Sequence, residues 1–169
     1  MERIFCKKNI ACYIDYAHNG MSLRQVLQTL RLYNPSRIIL VFGCGGGRAK
    51  IRRLEMGEAA GMYADKIILT NDNPRDEEPN KIIQDIQEGI GKARETTKEA
   101  TDGKTQNQVE VIMDRPMAVA KAIQSARPGD IVLIAGKGHE TYQEAGGRRY
   151  YMDDHELVRN AIACRKNYE

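Results

Sequence analysis

Short apolar runs alternate with longer amphipathic segments along the 169-residue chain. Five of these runs are rich in Ile and Val, which favour extended structure, and runs that are apolar at nearly every position are typical of strands buried on both faces of a parallel sheet. We therefore predict strands near residues 10–15, 37–42, 66–69, 109–113 and 130–134.

The segments between these runs carry apolar residues at every third or fourth position, which is the spacing on the buried face of an amphipathic helix. Ser22 is a candidate N-cap for the first segment, and Pro116 stands in the first turn of the fourth, where proline is tolerated. The pattern predicts helices over residues 22–33, 50–64, 80–90, 115–126 and 153–164.

Two stretches depart from this alternation. Residues 91–108 have almost no apolar content, so they form either an exposed extension of the preceding helix or a mobile loop. Residues 141–151 alternate around Gly146-Gly147, which predicts a hairpin at the edge of the sheet. The whole pattern predicts a Rossmann-like α/β domain of three layers, in which a mostly parallel sheet of about six strands, one antiparallel at the edge, has helices on both faces.

Length and composition narrow the classes of protein. A chain of this length fits one domain and buries enough surface to fold without disulfides. Its 26 basic and 23 acidic residues leave a net charge of +3, too small to indicate a nucleic-acid partner, and no apolar stretch is long enough for a signal peptide or a membrane span. Cys6, Cys12, Cys44 and Cys164 are scattered without a C-x-x-C pair, which argues against a metal or redox site and is typical of reduced thiols in a cytoplasmic protein.

Polar motifs follow four of the predicted strands. They occupy residues 15–20, 43–48, 71–75 and 135–140. Ligands of open parallel sheets bind outside the carboxyl ends of the strands. We therefore expect the four motifs to line one rim of the sheet and to form a site together.

Residues 71–75, with the sequence Asn-Asp-Asn-Pro-Arg, offer an amide, a carboxylate and a guanidinium on a backbone that Pro74 stiffens. These groups complement a small zwitterion that carries carboxylates and an ammonium, so the stretch suggests an amino-acid pocket. The alternative is an ordinary strand-to-helix turn in which Asp72 or Asn73 caps backbone amides and Arg75 faces solvent.

The glycine run 43–47 allows backbone amides to approach an anion, with Arg48 at the start of the next helix, but it could equally be a structural turn. Neither this run nor the segment around Lys137 has the spacing of the phosphate loop G-x-x-x-x-G-K-[ST]. In the latter segment Glu140 could receive an ammonium or be a solvated loop carboxylate, and Gly136 could let a ligand touch the backbone.

Three further residues at this rim have two interpretations each. Asp15 either caps its own loop or contacts a ribose hydroxyl. His18 and His139 could act as general bases, although lone histidines more often orient loops, and no Ser or Cys shows a nucleophile pattern. The residue pattern alone leaves these alternatives open.

At these motifs the chain resembles the C-terminal, glutamate-ligase-type domain of the Mur ligases, and in particular their diaminopimelate-adding branch. The resemblance covers nearly the whole chain, with the motifs in the family's order and at similar spacing. The matching motifs are Asp-Tyr-Ala-His at 15–18, Phe-Gly-Cys-Gly-Gly at 42–46, Asp-Asn-Pro-Arg at 72–75 followed by Glu-Glu-Pro at 77–79, and Ala-Gly-Lys-Gly-His-Glu at 135–140.

The resemblance implies a reaction of peptidoglycan biosynthesis. Ligases of this branch spend ATP, with Mg²⁺, to add meso-diaminopimelate to UDP-MurNAc-L-Ala-D-Glu through an acyl phosphate that the incoming amine attacks. They bind ATP and Mg²⁺ mainly in a central domain and the UDP-sugar in an N-terminal domain. Neither the phosphate loop and magnesium ligands of the first nor the UDP-sugar site of the second is among these residues. We therefore expect residues 1–169 to be a single C-terminal domain, inactive alone and active as part of a full-length ligase.

The resemblance also assigns site residues. The positions that match contacts to meso-diaminopimelate are Arg48, Asp72, Asn73, Pro74, Arg75, Gly136 and Glu140. Asp15 and His18 match positions that lie at the adenosine part of ATP. Because lysine-adding relatives differ at the arginine, the resemblance makes Arg75 the residue that selects the amino acid.

Two alternatives to this function stay open at the level of sequence. One is a stand-alone amino-acid-binding module without catalysis. The other is the equivalent domain of another amide ligase, such as a cyanophycin synthetase. A phosphate loop upstream in the same reading frame would favour the ligase.

Overall fold

The computed structural model describes residues 1–5, 9–100 and 107–166. Within them the main sheet has strands β1 Glu2–Phe5, β2 Ala11–Asp15, β3 Ile38–Phe42, β4 Lys66–Leu69, β5 Gln108–Val111 and β6 Ile131–Ala135. The helices are α1 Gly20–Arg31, α2 Lys50–Tyr63, α3 Pro79–Ala100, α4 Arg115–Ser125 and α5 Asp154–Lys166. A hairpin of β7 Tyr142–Ala145 and β8 Arg148–Tyr151 precedes α5.

The sheet has the strand order β1-β2-β6-β3-β4-β5, and all neighbouring strands are parallel except β1 and β2. Leu40 and Phe42 point to one face, where they pack with α1, α2 and α3, whereas Ile39 and Val41 point to the other face and pack with α4 and α5. Every residue of β3 and β6 is buried, which explains why their sequences are apolar throughout. The predicted three-layer α/β fold is confirmed.

The antiparallel edge strand is β1, which the sequence pattern did not indicate, because four residues are too few to show a clear period. The hairpin forms as predicted but not at the edge of the main sheet. It is a separate two-stranded sheet, connected to the rest by an isolated bridge between Arg75 and Ala145. The physical reason is its polarity: all residues of β7 and β8 are partly or fully exposed, so they cannot join a sheet that is covered on both faces.

Two helix boundaries also differ from expectation. Asn19, not Ser22, is the N-cap of α1, because the Asn19 side chain accepts the Ser22 amide at 2.9 Å and the Ser22 hydroxyl accepts the Asn19 amide in a reciprocal capping box. Helix α3 continues to Ala100, so the extension proposed for the polar stretch is correct as far as that residue. Residues 101–106 lie outside the described residues.

A buried ion pair ties the carboxyl ends of two strands to the last helix. Arg115, at the start of α4, donates to both carboxylate oxygens of Asp154 at 2.8 and 2.7 Å, and both side chains are fully buried. The same guanidinium donates to the carbonyl of Ala135 at the end of β6 and to that of Asn71 just beyond β4. One side chain thus joins two of the four loops that were expected to form the site.

A second network joins α2 and α3 to the loop that precedes α3. Arg53 donates to both carboxylate oxygens of Glu77 at 2.7 and 2.6 Å and to Asp85 at 3.0 Å. Glu77 also accepts the backbone amide of Gly47 at 2.9 Å. The hydrogen bonds from Arg53 and then from Gly47 lower the pKa of Glu77 to about 2. The network therefore fixes the glycine run against the segment that follows Arg75.

We expect Arg115→Ala to lower the free energy of unfolding of the 169-residue chain by about 3 to 5 kcal/mol, because it leaves the Asp154 carboxylate buried without its partner. Urea unfolding followed by circular dichroism measures the effect. Arg159→Ala, which removes an exposed arginine of α5, serves as the control and should change stability by less than about 0.5 kcal/mol. Equal stability of the two variants would contradict a structural role of the pair.

We expect Glu77→Gln to destabilise the chain at neutral pH by about 1 to 2 kcal/mol, a value reduced for the partial exposure of Glu77. A carboxyl whose pKa falls on folding contributes stability above its ordinary pKa of 4.5 and loses it as the pH falls toward about 2. Urea unfolding at a series of pH values should therefore show a difference between wild type and variant that is constant above pH 5 and fades below it. Asp76→Asn, at an exposed neighbour, is the control.

Candidate functional site

The four polar motifs follow β2, β6, β3 and β4, which are consecutive in the sheet and parallel, so the motifs meet on one rim as predicted. Between them lies a pocket of about 310 Å³. The lining residues are Tyr16, His18, Gly43, Cys44, Gly45, Arg48, Arg52, Asp72, Asn73, Arg75, Gly136 and Glu140. Of the nine residues that the resemblance assigns to ligands, seven are among them and Asp15 and Pro74 are not, and the candidate base His139 is not among them either.

The glycine run packs against the segment 71–75 at distances that exclude side chains. A Cβ atom on Gly43 would lie 2.0 Å from the carbonyl oxygen of Thr70, and one on Gly46 would lie 1.9 Å from that of Pro74. The Gly46 amide donates to Asn73 O at 2.8 Å, just as the Gly47 amide is engaged by Glu77. These two amides are therefore used within the protein, which favours the structural interpretation of the run over an anion cradle.

Arg75 is held in place by backbone and side-chain contacts. Its φ of 54° lies in the left-handed region, which is uncommon for a residue with a side chain. Its amide donates to the Glu144 carbonyl at 3.0 Å and its carbonyl accepts the Gly146 amide at 2.8 Å, so the hairpin determines this conformation. The guanidinium Nη1 donates to Gly46 O at 2.7 Å, and Nε lies 3.2 Å from the Glu144 carboxylate. Arg75 therefore lines the pocket and is not simply a solvent-facing turn residue.

Lys137 is a site residue that sequence reasoning missed. Its side chain is fully buried beneath the pocket, and its Nζ donates to Asn73 Oδ1 at 3.0 Å and to Glu140 Oε2 at 3.2 Å. Glu140 also accepts from Asn73 Nδ2 at 3.1 Å and from the Tyr16 hydroxyl at 3.3 Å. Within this domain the Glu140 carboxylate is thus paired with the ammonium of Lys137. The only signal in the sequence was a lysine between two glycines at the end of an apolar strand.

Asp72 places a buried carboxylate on the pocket wall. Its Oδ2 lies 2.7 Å from the position of a Cβ atom on Gly136, which has a φ of 110°, so only glycine leaves room for this carboxylate. Burial raises the pKa of Asp72, and the nearby charges of Arg115 and Lys137 offset this rise in part. The Lys137 Nζ is 3.9 Å away, beyond hydrogen-bonding distance. A ligand ammonium would stabilise the ionised form.

The loop after β2 presents aromatic rings at one side of the pocket. The Tyr16 ring lies 4.7 Å from the ring of His18 and 5.2 Å from that of His139, measured between centroids. The His18 Nδ1 hydrogen bonds to the Tyr16 carbonyl at 2.9 Å, which requires the proton on Nδ1. Asp15 accepts the Ala17 amide at 2.8 Å, so it caps its own loop. These exposed rings fit a stacking partner such as a nucleobase.

Three other features bear on the function of the described part of the chain: the Cys44 thiol, groups that could hold a metal, and helices that could span a membrane. The Cys44 thiol donates to the Met56 sulfur, and burial raises its pKa, so a thiolate is disfavoured. Within residues 1–5, 9–100 and 107–166, no three or more His, Cys, Asp or Glu side chains are grouped so that they could hold a metal ion. In the same residues no helix has the length and apolar character needed to cross a membrane.

The chain is similar in sequence to known proteins. A curated UDP-N-acetylmuramoyl-L-alanyl-D-glutamate--2,6-diaminopimelate ligase from Chlorobium phaeobacteroides is 43% identical over 166 residues, which are 96% of this chain and 30% of that protein. A ligase of the same name from Aquifex aeolicus is 45% identical over 149 residues, 88% of this chain and 28% of that protein. The chain thus spans about 30% of the length of these relatives.

Solved structures show the same relationship. A structure of a UDP-N-acetylmuramoyl-L-alanyl-D-glutamate--2,6-diaminopimelate ligase superimposes with a TM-score of 0.83 at 38% identity, covering 98% of this chain and 31% of that one. A murein peptide ligase from Psychrobacter arcticus superimposes with a TM-score of 0.57 at 15% identity, covering 96% of this chain and 29% of that one, which shows the fold alone. The family model described as Mur ligase, glutamate ligase domain, matches residues 1–138. The chain therefore belongs to the Mur ligase family, as its glutamate ligase domain.

Proposed function

We propose that this chain is the amino-acid-binding domain of a ligase that adds meso-diaminopimelate to UDP-MurNAc-L-Ala-D-Glu in peptidoglycan biosynthesis. The observation that carries the proposal is the pocket at the strand ends, which combines three arginines with two carboxylates: Arg48, Arg52, Arg75, Asp72 and Glu140. meso-Diaminopimelate has carboxylates and amino groups at both ends. Guanidinium groups bind carboxylates with paired hydrogen bonds, and carboxylates bind ammonium groups, so the lining complements this amino acid.

Within this reaction the domain orients the amino acid. Arg75 is positioned by the hairpin and by Gly46, so its guanidinium is a fixed partner for a carboxylate at the distal end, with Asp72 and Asn73 beside it. Arg48 also lines the pocket and supplies a second cation. Holding one end of the amino acid leaves the amine at the other end to attack an acyl phosphate formed on the muramoyl peptide.

The same proposal assigns ATP and Mg²⁺ mainly to the rest of the longer ligase. In the residues described here the Gly46 and Gly47 amides are engaged by protein oxygens, and no carboxylate cluster is suited to a metal. The rings of Tyr16 and His18 fit the adenosine part of ATP, and Asp15, whose Oδ1 accepts the Ala17 amide, stands at the start of the same loop and is assigned to the same site. ATP supplies the phosphoryl group that activates the acceptor carboxylate.

The relatives named above match nearly the whole of this chain, and both are named diaminopimelate ligases. This favours a diaminopimelate ligase over other amide ligases such as cyanophycin synthetases. It likewise favours a ligase domain over a binding module without catalysis. The experiment that separates these functions is an activity measurement on the full-length ligase with meso-diaminopimelate, L-lysine and no added amino acid. Formation of ADP and a new peptide bond only with meso-diaminopimelate is the expected result.

In that ligase, Arg75→Ala should raise the KM for meso-diaminopimelate by at least thirtyfold, because the bound ligand would cover the guanidinium and removing one partner of a covered charge pair costs about 2 to 5 kcal/mol. The KM for ATP should stay within about twofold, since the contacts of Arg75 are with the glycine run and the hairpin and not with the loop that carries Tyr16 and His18. Steady-state kinetics with each substrate varied in turn measures both constants. Arg148→Ala removes an exposed arginine of the β7–β8 hairpin, next to Arg75, and is the control. An unchanged KM for meso-diaminopimelate would refute the role of Arg75.

A further inference from the structure

Lys137 has a buried charge that the proposed binding reaction does not use directly. Its side chain has no exposed surface, and its ammonium lies 3.0 Å from Asn73 Oδ1 and 3.2 Å from Glu140 Oε2. The Tyr142 ring is 5.4 Å from Nζ and covers it from the hairpin side. A buried ammonium is costly unless it is paired and hydrogen bonded, so its position is set by these partners, and their positions are set by it.

The contacts determine which way the Asn73 amide faces. Its oxygen accepts from Lys137 Nζ and from the Glu144 amide, while its nitrogen donates to Glu140 Oε2. A flipped amide would place NH₂ against two donors and oxygen against a carboxylate, which is unfavourable at every contact. Lys137 and Glu140 thus hold one orientation of a side chain that lines the pocket.

The lysine also changes the charge of the pocket floor. Asp72 and Glu140 are two carboxylates on one wall, and the Lys137 ammonium lies 3.9 Å from the first and 3.2 Å from the second. The three groups together carry one negative charge when all are ionised. That charge matches one ligand ammonium, whereas two uncompensated carboxylates would favour two.

We propose that Lys137 is a positioning residue, which orients Asn73 and Glu140 and cancels one of the two carboxylate charges, so that the pocket accepts an amino acid through a single ammonium. The proposal rests on the proposed function, because the amino acid is the one assigned to this pocket. It adds that Asp72, Glu140 and Lys137 together hold one amino group of the ligand as an ammonium, so that the other amino group is not paired with this cluster.

The kinetic test is a double-mutant cycle in the full-length ligase. Lys137→Met, which keeps most of the side-chain length and removes the charge, should raise the KM for meso-diaminopimelate at least tenfold and leave the KM for ATP within about twofold. If Lys137 acts through Glu140, the double variant Lys137→Met with Glu140→Gln should have a KM within about threefold of the worse single variant. A KM equal to the product of the two single effects, or an unaltered KM in Lys137→Met, would overturn the proposal.

Lys121→Met, at an exposed lysine of α4, is the matched control and should leave both KM values unchanged. Urea unfolding of each variant shows whether it is folded. If Lys137→Met does not fold, the proposal is tested on the wild-type chain. There the Lys137 side-chain ammonium is observed by ¹H,¹⁵N nuclear magnetic resonance.

Because the Lys137 ammonium is shielded from water, we expect its protons to exchange slowly enough to give a signal in the 169-residue chain without ligand. Glu140→Gln should shift this signal, and Glu78→Gln, at an exposed carboxylate, should not. An absent signal, or one that Glu140→Gln does not shift, overturns the positioning role whatever the substrate is. A shifted signal combined with an unchanged response to meso-diaminopimelate in the Arg75→Ala ligase would instead refute the proposed function alone.

Discussion

The site depends on the buried ion pair between Arg115 and Asp154. The Arg115 guanidinium donates hydrogen bonds to four oxygens: both carboxylate oxygens of Asp154 and the carbonyl oxygens of Ala135 and Asn71. The Ala135 carbonyl ends β6 and the Asn71 carbonyl lies just beyond β4, and these two strands flank β3 in the sheet. The guanidinium thus fixes the distance between the two loops that supply the carboxylates and Arg75. A pocket built on loops is as well ordered as the groups that tie the loops together.

The fold was predictable because its elements are locally consistent. The strands are short, apolar and rich in β-branched residues, and the helices between them have clear apolar faces, so periodicity alone indicates a covered parallel sheet. The rim followed from the fold: once four polar motifs are placed after parallel strands, their convergence is a matter of geometry. The edge strand β1 and the position of the hairpin were beyond such reasoning, since both depend on contacts between segments distant in sequence.

The residues that sequence reasoning missed are those whose chemistry contradicts their setting. Lys137 and Arg115 are charged and fully buried, although such residues are almost always exposed, and no local pattern shows which partners will compensate them. The glycine run was open to two interpretations because close packing and anion binding both need glycine. Only the carbonyl oxygens of Thr70 and Pro74, which approach from a neighbouring loop, show that packing is the reason at Gly43 and Gly46.

The left-handed backbone of Arg75 restricts how this pocket could change in evolution. Glycine adopts the conformation without strain, and asparagine and aspartate tolerate it better than other residues. A lineage that exchanged the guanidinium for another group would have few single steps that keep the bridge to Ala145 intact. A larger choice of side chains would require the hairpin to change as well. The side chain at position 75 and the geometry of the hairpin therefore constrain each other, although the two segments lie about 70 residues apart in the chain.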